Sequence, residues 1–278
     1  MNFGGNEVVY GYPESAIIIV PVPYDATSTW MKGADKGPEA ILEASVNLEF
    51  YDIETESEVH LKGINTIDPV TEDRTPEGLV NAVYQKTSAL LSDKKFPVII
   101  GGNHTVSIGA FKAFSENYRN LTILQLDAHA DLRNEYEGSR YNHACVMARA
   151  RELAPVVQVA IRSMSEGEVA GVDRNRIFYS HELYYHKSLY AKALDTLTEN
   201  VYITIDLDAF DPSLIPSTGT PEPGGPDYFE LMHFLRDVIK NRNVVGFDVV
   251  ELCPSSVNKA PDFIAAKIIY QLLSYRFA

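Results

Sequence analysis

Three short segments of this 278-residue chain hold acids and imidazoles at spacings suited to metal chemistry. The first is Asp127-Ala128-His129-Ala130-Asp131. Side chains at i, i+2 and i+4 of an extended segment point to one side, so Asp127, His129 and Asp131 converge if the segment stays extended. The second, Asp206-Leu207-Asp208-Ala209-Phe210-Asp211-Pro212, repeats the device with Asp206 and Asp208. Asp211, just before a proline, reads as a turn residue rather than a ligand. Gly101-Gly102-Asn103-His104 adds a second imidazole, and Glu251 adds a further acid. Carboxylates this close to buried backbone cost several kcal/mol when left unpaired. Neither aspartate motif contains a lysine or arginine, so a bound cation is the natural partner. Asp127, Asp131, Asp206 and Asp208 together carry a charge that two divalent ions would balance. Mostly oxygen donors with two imidazoles suit Mn²⁺ better than Zn²⁺, which prefers Cys/His shells. Calcium is disfavoured by the imidazoles and by the lack of an EF-hand loop.

Each of these segments follows an apolar, largely β-branched run. The expected strands are Ala16–Val20, Gly63–Ile67, Val98–Ile100, Leu121–Leu126, Val156–Ile161, Arg176–Tyr179, Val201–Ile205 and Val244–Val250. Most are apolar on both faces, as in a parallel sheet covered on both sides. Amphipathic runs fill the gaps. Thr75-Pro76-Glu77 opens a helix to about Leu91, Asp227 caps Tyr228–Arg242, and a last helix begins near Pro261. This alternation gives an α/β fold, and periodicity alone allows either an open sheet or a closed barrel. Both architectures place their chemistry at the carboxyl ends of the strands, where these motifs lie.

Composition narrows the function. With 45% hydrophobic and 22% charged residues, disorder is excluded as the general state. The net charge of −14 should repel phosphate backbones, so nucleic acid is excluded as a partner and cationic guests are favoured. No apolar run approaches the length of a membrane span, so no membrane partner is expected. Two cysteines, Cys145 and Cys253, form neither a disulfide framework nor a CxxC pair, and with no signal-like N-terminus the reading is a reduced, cytoplasmic protein.

Taken in order and spacing, GGNHT, DAHAD and DLDAFDP resemble the ureohydrolases, the family of arginases and agmatinases. Pro23-Tyr24-Asp25, Gly37-Pro38-Glu39-Ala40-Ile41, Thr218-Gly219-Thr220-Pro221-Glu222-Pro223-Gly224-Gly225 and Phe247-Asp248-Val249-Val250-Glu251 extend the resemblance over almost the whole chain. It implies a single-domain, three-layer α/β fold over residues 1–278: an open, eight-stranded, mostly parallel sheet with helices on both faces. It also implies two Mn²⁺ per subunit. One would be held by His104, Asp127, Asp131 and Asp206, and the other by Asp127, His129, Asp206 and Asp208. Glu251 would grip the guanidinium, Asp131 would orient the attacking water, and His143 would donate the proton to the departing amine. A homo-oligomer, trimer or hexamer, is the family expectation.

Within the family, TPEPGG and the loop EYEGSRYNHAC resemble agmatinases, which convert agmatine and water to putrescine and urea, a polyamine-forming step. Glu135 and Glu137 suit a distal ammonium on a small cationic guanidino substrate, whereas Arg133 would suit a carboxylate. The alternatives are arginine, guanidinobutyrate or a polyamine-guanidine as substrate, a mononuclear zinc deacetylase-like enzyme, or an inactive metal-binding homologue. Three positions depart from the family pattern: Asn103 replaces an Asp beside His104 and is expected to alter metal affinity, Asn142 precedes His143 where Ser is common, and Leu42 stands where Arg is frequent. Trp30 and Tyr24 are expected to serve packing rather than a substrate rim.

Overall fold

The computed structural model describes residues 1–72 and 74–278. Among them the eight expected strands all form: β1 (Ile17–Val22), β2 (Ile64–Thr66), β3 (Phe96–Gly101), β4 (Leu121–Leu126), β5 (Val156–Ile161), β6 (Ile177–Tyr179), β7 (Asn200–Asp206) and β8 (Asn243–Val250). They make one sheet in the order β2-β1-β3-β8-β7-β4-β5-β6. Every pairing is parallel. β2 and β6 are free edges, so the sheet is open and the barrel alternative falls.

Alternate strand residues feed two separate cores. Ile17 and Ile19 of β1, Val201, Ile203 and Ile205 of β7, and Phe247 of β8 join one cluster. It is roofed by α1 (Gly37–Ser45), α4 (Tyr228–Asn241) and α5 (Ala260–Phe277), which contribute Ile41, Leu231, Leu235, Ile268 and Leu272. Leu42, the departure on α1, is buried there too. Ile18 and Val20 of β1 and Ile123 of β4 point the other way. They pack under α2 (Pro76–Ser92) and α3 (Ser107–Asn117) through Leu79, Val83, Phe111 and Phe114. Burying each of these large side chains contributes ~1.5–3 kcal/mol, so both faces of the sheet must be covered.

Capping chemistry sets the helix starts. The Thr75 hydroxyl accepts from the Gly78 N–H at 2.9 Å, and Asp227 forms a capping box with Glu230. Gly102 is needed where β3 leaves the sheet, because a Cβ there would lie 2.0 Å from the Tyr24 carbonyl. That close approach lets the Asn103 N–H bond the same carbonyl at 2.8 Å and fixes the entry to His104.

Candidate metal centre and substrate cavity

The four adjacent central strands, β3, β8, β7 and β4, deliver the acids and imidazoles to one edge of the sheet. His104 follows β3, Asp127 follows β4, Asp206 ends β7 and Glu251 follows β8. His104 Nδ1 lies 3.2 Å from Asp127 Oδ2, 3.2 Å from Asp131 Oδ2 and 3.6 Å from Asp206 Oδ2. His129 Nδ1 lies 2.8 Å from Asp208 Oδ2 and 3.6 Å from Asp127 Oδ1. Two donor groups result, His104–Asp127–Asp206 and Asp127–His129–Asp208, and Asp127 belongs to both.

Convergence does not rest on extended backbone throughout. Asp131 has φ 52° and Glu251 φ 66°, so each leaves its strand end through a left-handed residue. Such conformations cost about 1–3 kcal/mol for a non-glycine and persist where surrounding structure enforces them. Asp208 arrives through a 3₁₀ turn over Leu207–Ala209, with its N–H on Asp206 Oδ1 at 2.8 Å. Its Oδ1 accepts the Ala128 N–H at 2.9 Å, which ties the two aspartate motifs together. Asp211 is a turn residue, accepting from the N–H groups of Ser213, Gly224 and Gly225.

The donor set fits divalent ions. His104 Nε2 lies 2.9 Å from Thr204 Oγ1, which donates to Asp248 Oδ1 at 2.6 Å. Thr204 has one hydroxyl hydrogen and gives it to Asp248, so it accepts from Nε2–H. A neutral His104, the form that can ligate a metal, therefore keeps its lone pair on Nδ1, a buried atom with no hydrogen-bond partner that faces three carboxylates. Among the described residues no lysine or arginine pairs with Asp127, Asp131, Asp206 or Asp208. Burial, then Asp127, pushes Asp131 up to about 7. Burial and neighbouring acids raise Asp206 and Asp208 as well. Burial would raise Asp127 too, but His104 and His129 hold it below the usual carboxylate range. Crowded acids of this kind take up either protons or cations.

Because Thr204 and Asp248 fix the tautomer and ring angle of His104, Thr204→Val should weaken divalent-metal binding about 10–100-fold with the fold intact. A competitive metal titration of chelated protein checks this. An unchanged affinity would show that His104 needs no orienting partner.

A cavity of about 290 Å³ opens onto the centre. It is lined by His104, His129, Asp131, His143, Asp206, Asp208 and Glu251. Glu251 Oε1 accepts the His104 N–H at 2.7 Å, while Oε2 faces Gly219. Burial pushes Glu251 up to about 8. His143 begins a 3₁₀ turn capped by Asn142, whose Oδ1 accepts the Ala144 N–H at 3.0 Å, so Asn serves here as a good cap. Burial pushes His143 down to about 4, leaving an uncharged imidazole near neutrality.

The outer wall is made by Trp30, Met31, Tyr136, Met164, Gly219 and Thr220. Trp30 is 77% exposed and stands on the rim, whereas Tyr24 is packed in the core. Arg133 lines the wall, but its guanidinium stacks over Tyr136 at 4.4 Å and its Nε lies 3.7 Å from buried Glu168. Glu135 and Glu137 are exposed and do not line the cavity, so the expectation that they rim it is corrected. Arg133 and Tyr136 face inward in this loop, and Glu135 between them and Glu137 after them are left in solvent. Asn103 donates from Nδ2 to Thr27 Oγ1 at 2.7 Å and to Ser28 Oγ at 3.3 Å. It therefore holds the lip that carries Trp30 rather than bonding His104.

Known proteins place this geometry. The model of the arginase family matches residues 15–274. The N(1)-aminopropylagmatine ureohydrolase of Synechocystis sp. is 36% identical, over 97% of this chain and 92% of that protein. The agmatinase of Pyrococcus horikoshii is 31% identical, over 92% of this chain and 90% of that protein. The crystal structure of the agmatine ureohydrolase of Thermoplasma volcanium superposes with a TM-score of 0.90 at 29% identity, covering 99% of this chain and 94% of that one. With its acids and imidazoles gathered on one sheet edge, this chain belongs to the arginase family, and its activity is that of a ureohydrolase cleaving guanidino C–N bonds.

Proposed function

We propose that the protein is a binuclear, Mn²⁺-dependent ureohydrolase of guanidino polyamines, with agmatine and N(1)-aminopropylagmatine as substrates. One observation carries this reading: an acid-rich floor shares a cavity with a rim of rings and thioethers, and the rim's cation, Arg133, is already engaged by Glu168 and Tyr136. A cationic polymethylene tail fits such a wall, and a free carboxylate finds no partner there. Relatives named for N(1)-aminopropylagmatine stand at 36% and 35% identity, which supports the longer tail.

Divalent ions held by His104, Asp127, Asp131, His129, Asp206 and Asp208 would lower the pKa of water and so supply a nucleophile near neutral pH. Oxygen and imidazole donors without thiolate favour Mn²⁺ over Zn²⁺. Glu251 keeps Oε1 on the His104 N–H and offers Oε2 to the guanidinium. Asp131, at the floor beside His104, accepts a hydrogen bond from the attacking water and takes its proton. His143, on the cavity wall, passes protons to the departing nitrogen. The C–N bond to the tail breaks, a C=O bond forms, and both protons of water leave on the amine as ammonium. Two overlapping donor groups favour this scheme over a mononuclear zinc deacetylase.

Urea release from agmatine, N(1)-aminopropylagmatine, arginine and 4-guanidinobutyrate tests the substrate. The two carboxylates are expected about 100-fold or more lower in kcat/KM, since an acid facing acids costs several kcal/mol. Trp30→Ala should cost about 2–5-fold on the longer polyamine, the worth of an exposed cation–π contact. If wild type prefers a carboxylate substrate and Arg133→Ala loses that preference, the polyamine reading is wrong.

A further inference from the structure

Arg162 belongs to none of the motifs above, yet it makes six hydrogen bonds to main-chain carbonyls around the site. It lies just past β5, after a bulge at Ala160, where the register with β6 slips by one residue and φ is 73°. Bulges at strand ends re-aim the side chains that follow them. The Arg162 N–H is held on the Ala128 carbonyl at 2.8 Å, inside the first aspartate motif. Its guanidinium then reaches over the sheet edge. Nη2 donates to the carbonyls of Asp208 at 2.6 Å, Glu222 at 2.9 Å and Phe210 at 3.2 Å. Nη1 donates to Ala160 at 3.0 Å and Ala209 at 3.1 Å, and Nε donates to Glu222 at 3.2 Å.

Apart from Ala160, on β5 itself, these carbonyls belong to two loops. One is the turn after β7 that carries Asp208. The other is the Thr218–Gly225 segment, where Gly219 and Thr220 line the cavity and Glu222 Oε1 lies 3.9 Å from His129 Nε2. A rigid fork of donors can satisfy several carbonyls at fixed angles, which a lysine ammonium cannot do. Neither the main chain nor the side chain of His104, Asp131 or Asp206 is among its partners. The restraint is therefore one-sided.

We infer that Arg162 is a positioning residue for the Asp127–His129–Asp208 half of the metal centre, acting through the main chains of Asp208 and Glu222. This rests on the binuclear reading above, and the test separates the two. Wild type, Arg162→Met and Arg162→Lys are chelated and titrated with Mn²⁺. Bound metal is measured by elemental analysis, and the exchange-coupled pair is followed by electron paramagnetic resonance. Wild type should take two ions and show the coupled signal. Arg162→Met should keep one ion at wild-type affinity, bind the second about 10–100-fold more weakly, and lose the coupled signal at stoichiometric metal. Excess Mn²⁺ should restore most of kcat with KM little changed. Arg162→Lys, which keeps charge and stem, should fall between the two, and it carries the test if the methionine variant does not fold. Two tight ions in a folded variant, or equal weakening of both, would overturn the inference alone. A wild type that takes one ion only would overturn the binuclear reading and this inference with it.

Discussion

Asp127→Asn is expected to empty both halves of the metal centre and to lower turnover by on the order of 10³-fold or more, about 4 kcal/mol. Asp127 is the residue shared by the two donor groups. Both of its oxygens are in use. Oδ1 accepts the His129 N–H at 2.6 Å, and Oδ2 accepts from Gln125 Nε2 at 2.7 Å. An amide in the same space must turn an NH₂ toward one of these donors, so it loses a hydrogen bond as well as the charge. Asp127 is also the acid that His104 and His129 hold ionised while its neighbours are pushed toward protonation. Asp208→Asn makes the contrast, since Asp208 belongs to one group and should release one ion. Metal content after Mn²⁺ loading, with urea release at excess Mn²⁺, checks both. An Asp127→Asn protein holding two ions would remove Asp127 from its shared position.

Strand ends were the most legible feature of this chain, and the reason is physical. β-Branched runs that are apolar on both faces declare a covered parallel sheet, and ionisable residues directly after them have few places to go except its carboxyl edge. His104, Asp127, Asp206 and Glu251 were therefore readable one strand at a time. That they meet depended on the strand order β3-β8-β7-β4, which local pattern does not encode. The left-handed turns at Asp131 and Glu251 were hidden as well, because tertiary contacts enforce them against local preference. The rim was read least well. Glu135 and Glu137 have the right charge but lie in solvent, and Trp30 lies on the rim where packing was expected. Loop side chains answer to the direction of a few turns, and composition carries no record of that. Arg162 was missed for a different reason. It bonds carbonyls, and carbonyls leave no trace in a sequence.

Glu251→Gln should separate substrate binding from metal binding within this one edge. Glu251 Oε1 accepts the His104 N–H at 2.7 Å, a role the glutamine carbonyl can keep, so His104 should stay in place. No described protein group hydrogen-bonds Oε2, which faces the cavity beside Gly219. In the glutamine variant an NH₂ replaces that oxygen, and it meets a guanidinium that has only N–H donors to offer. The charge-assisted contact is lost, at a cost of about 1.5–3 kcal/mol. That corresponds to a fall of about 10–150-fold in kcat/KM. Metal content should remain that of wild type. If the guanidinium is gripped as strongly before the reaction as during it, the loss appears in KM; if the grip tightens as the carbon becomes tetrahedral, it appears in kcat. A variant that releases metal would place Glu251 among the ligands. One that keeps both metal and kcat/KM would leave the guanidinium to be held from elsewhere on the wall.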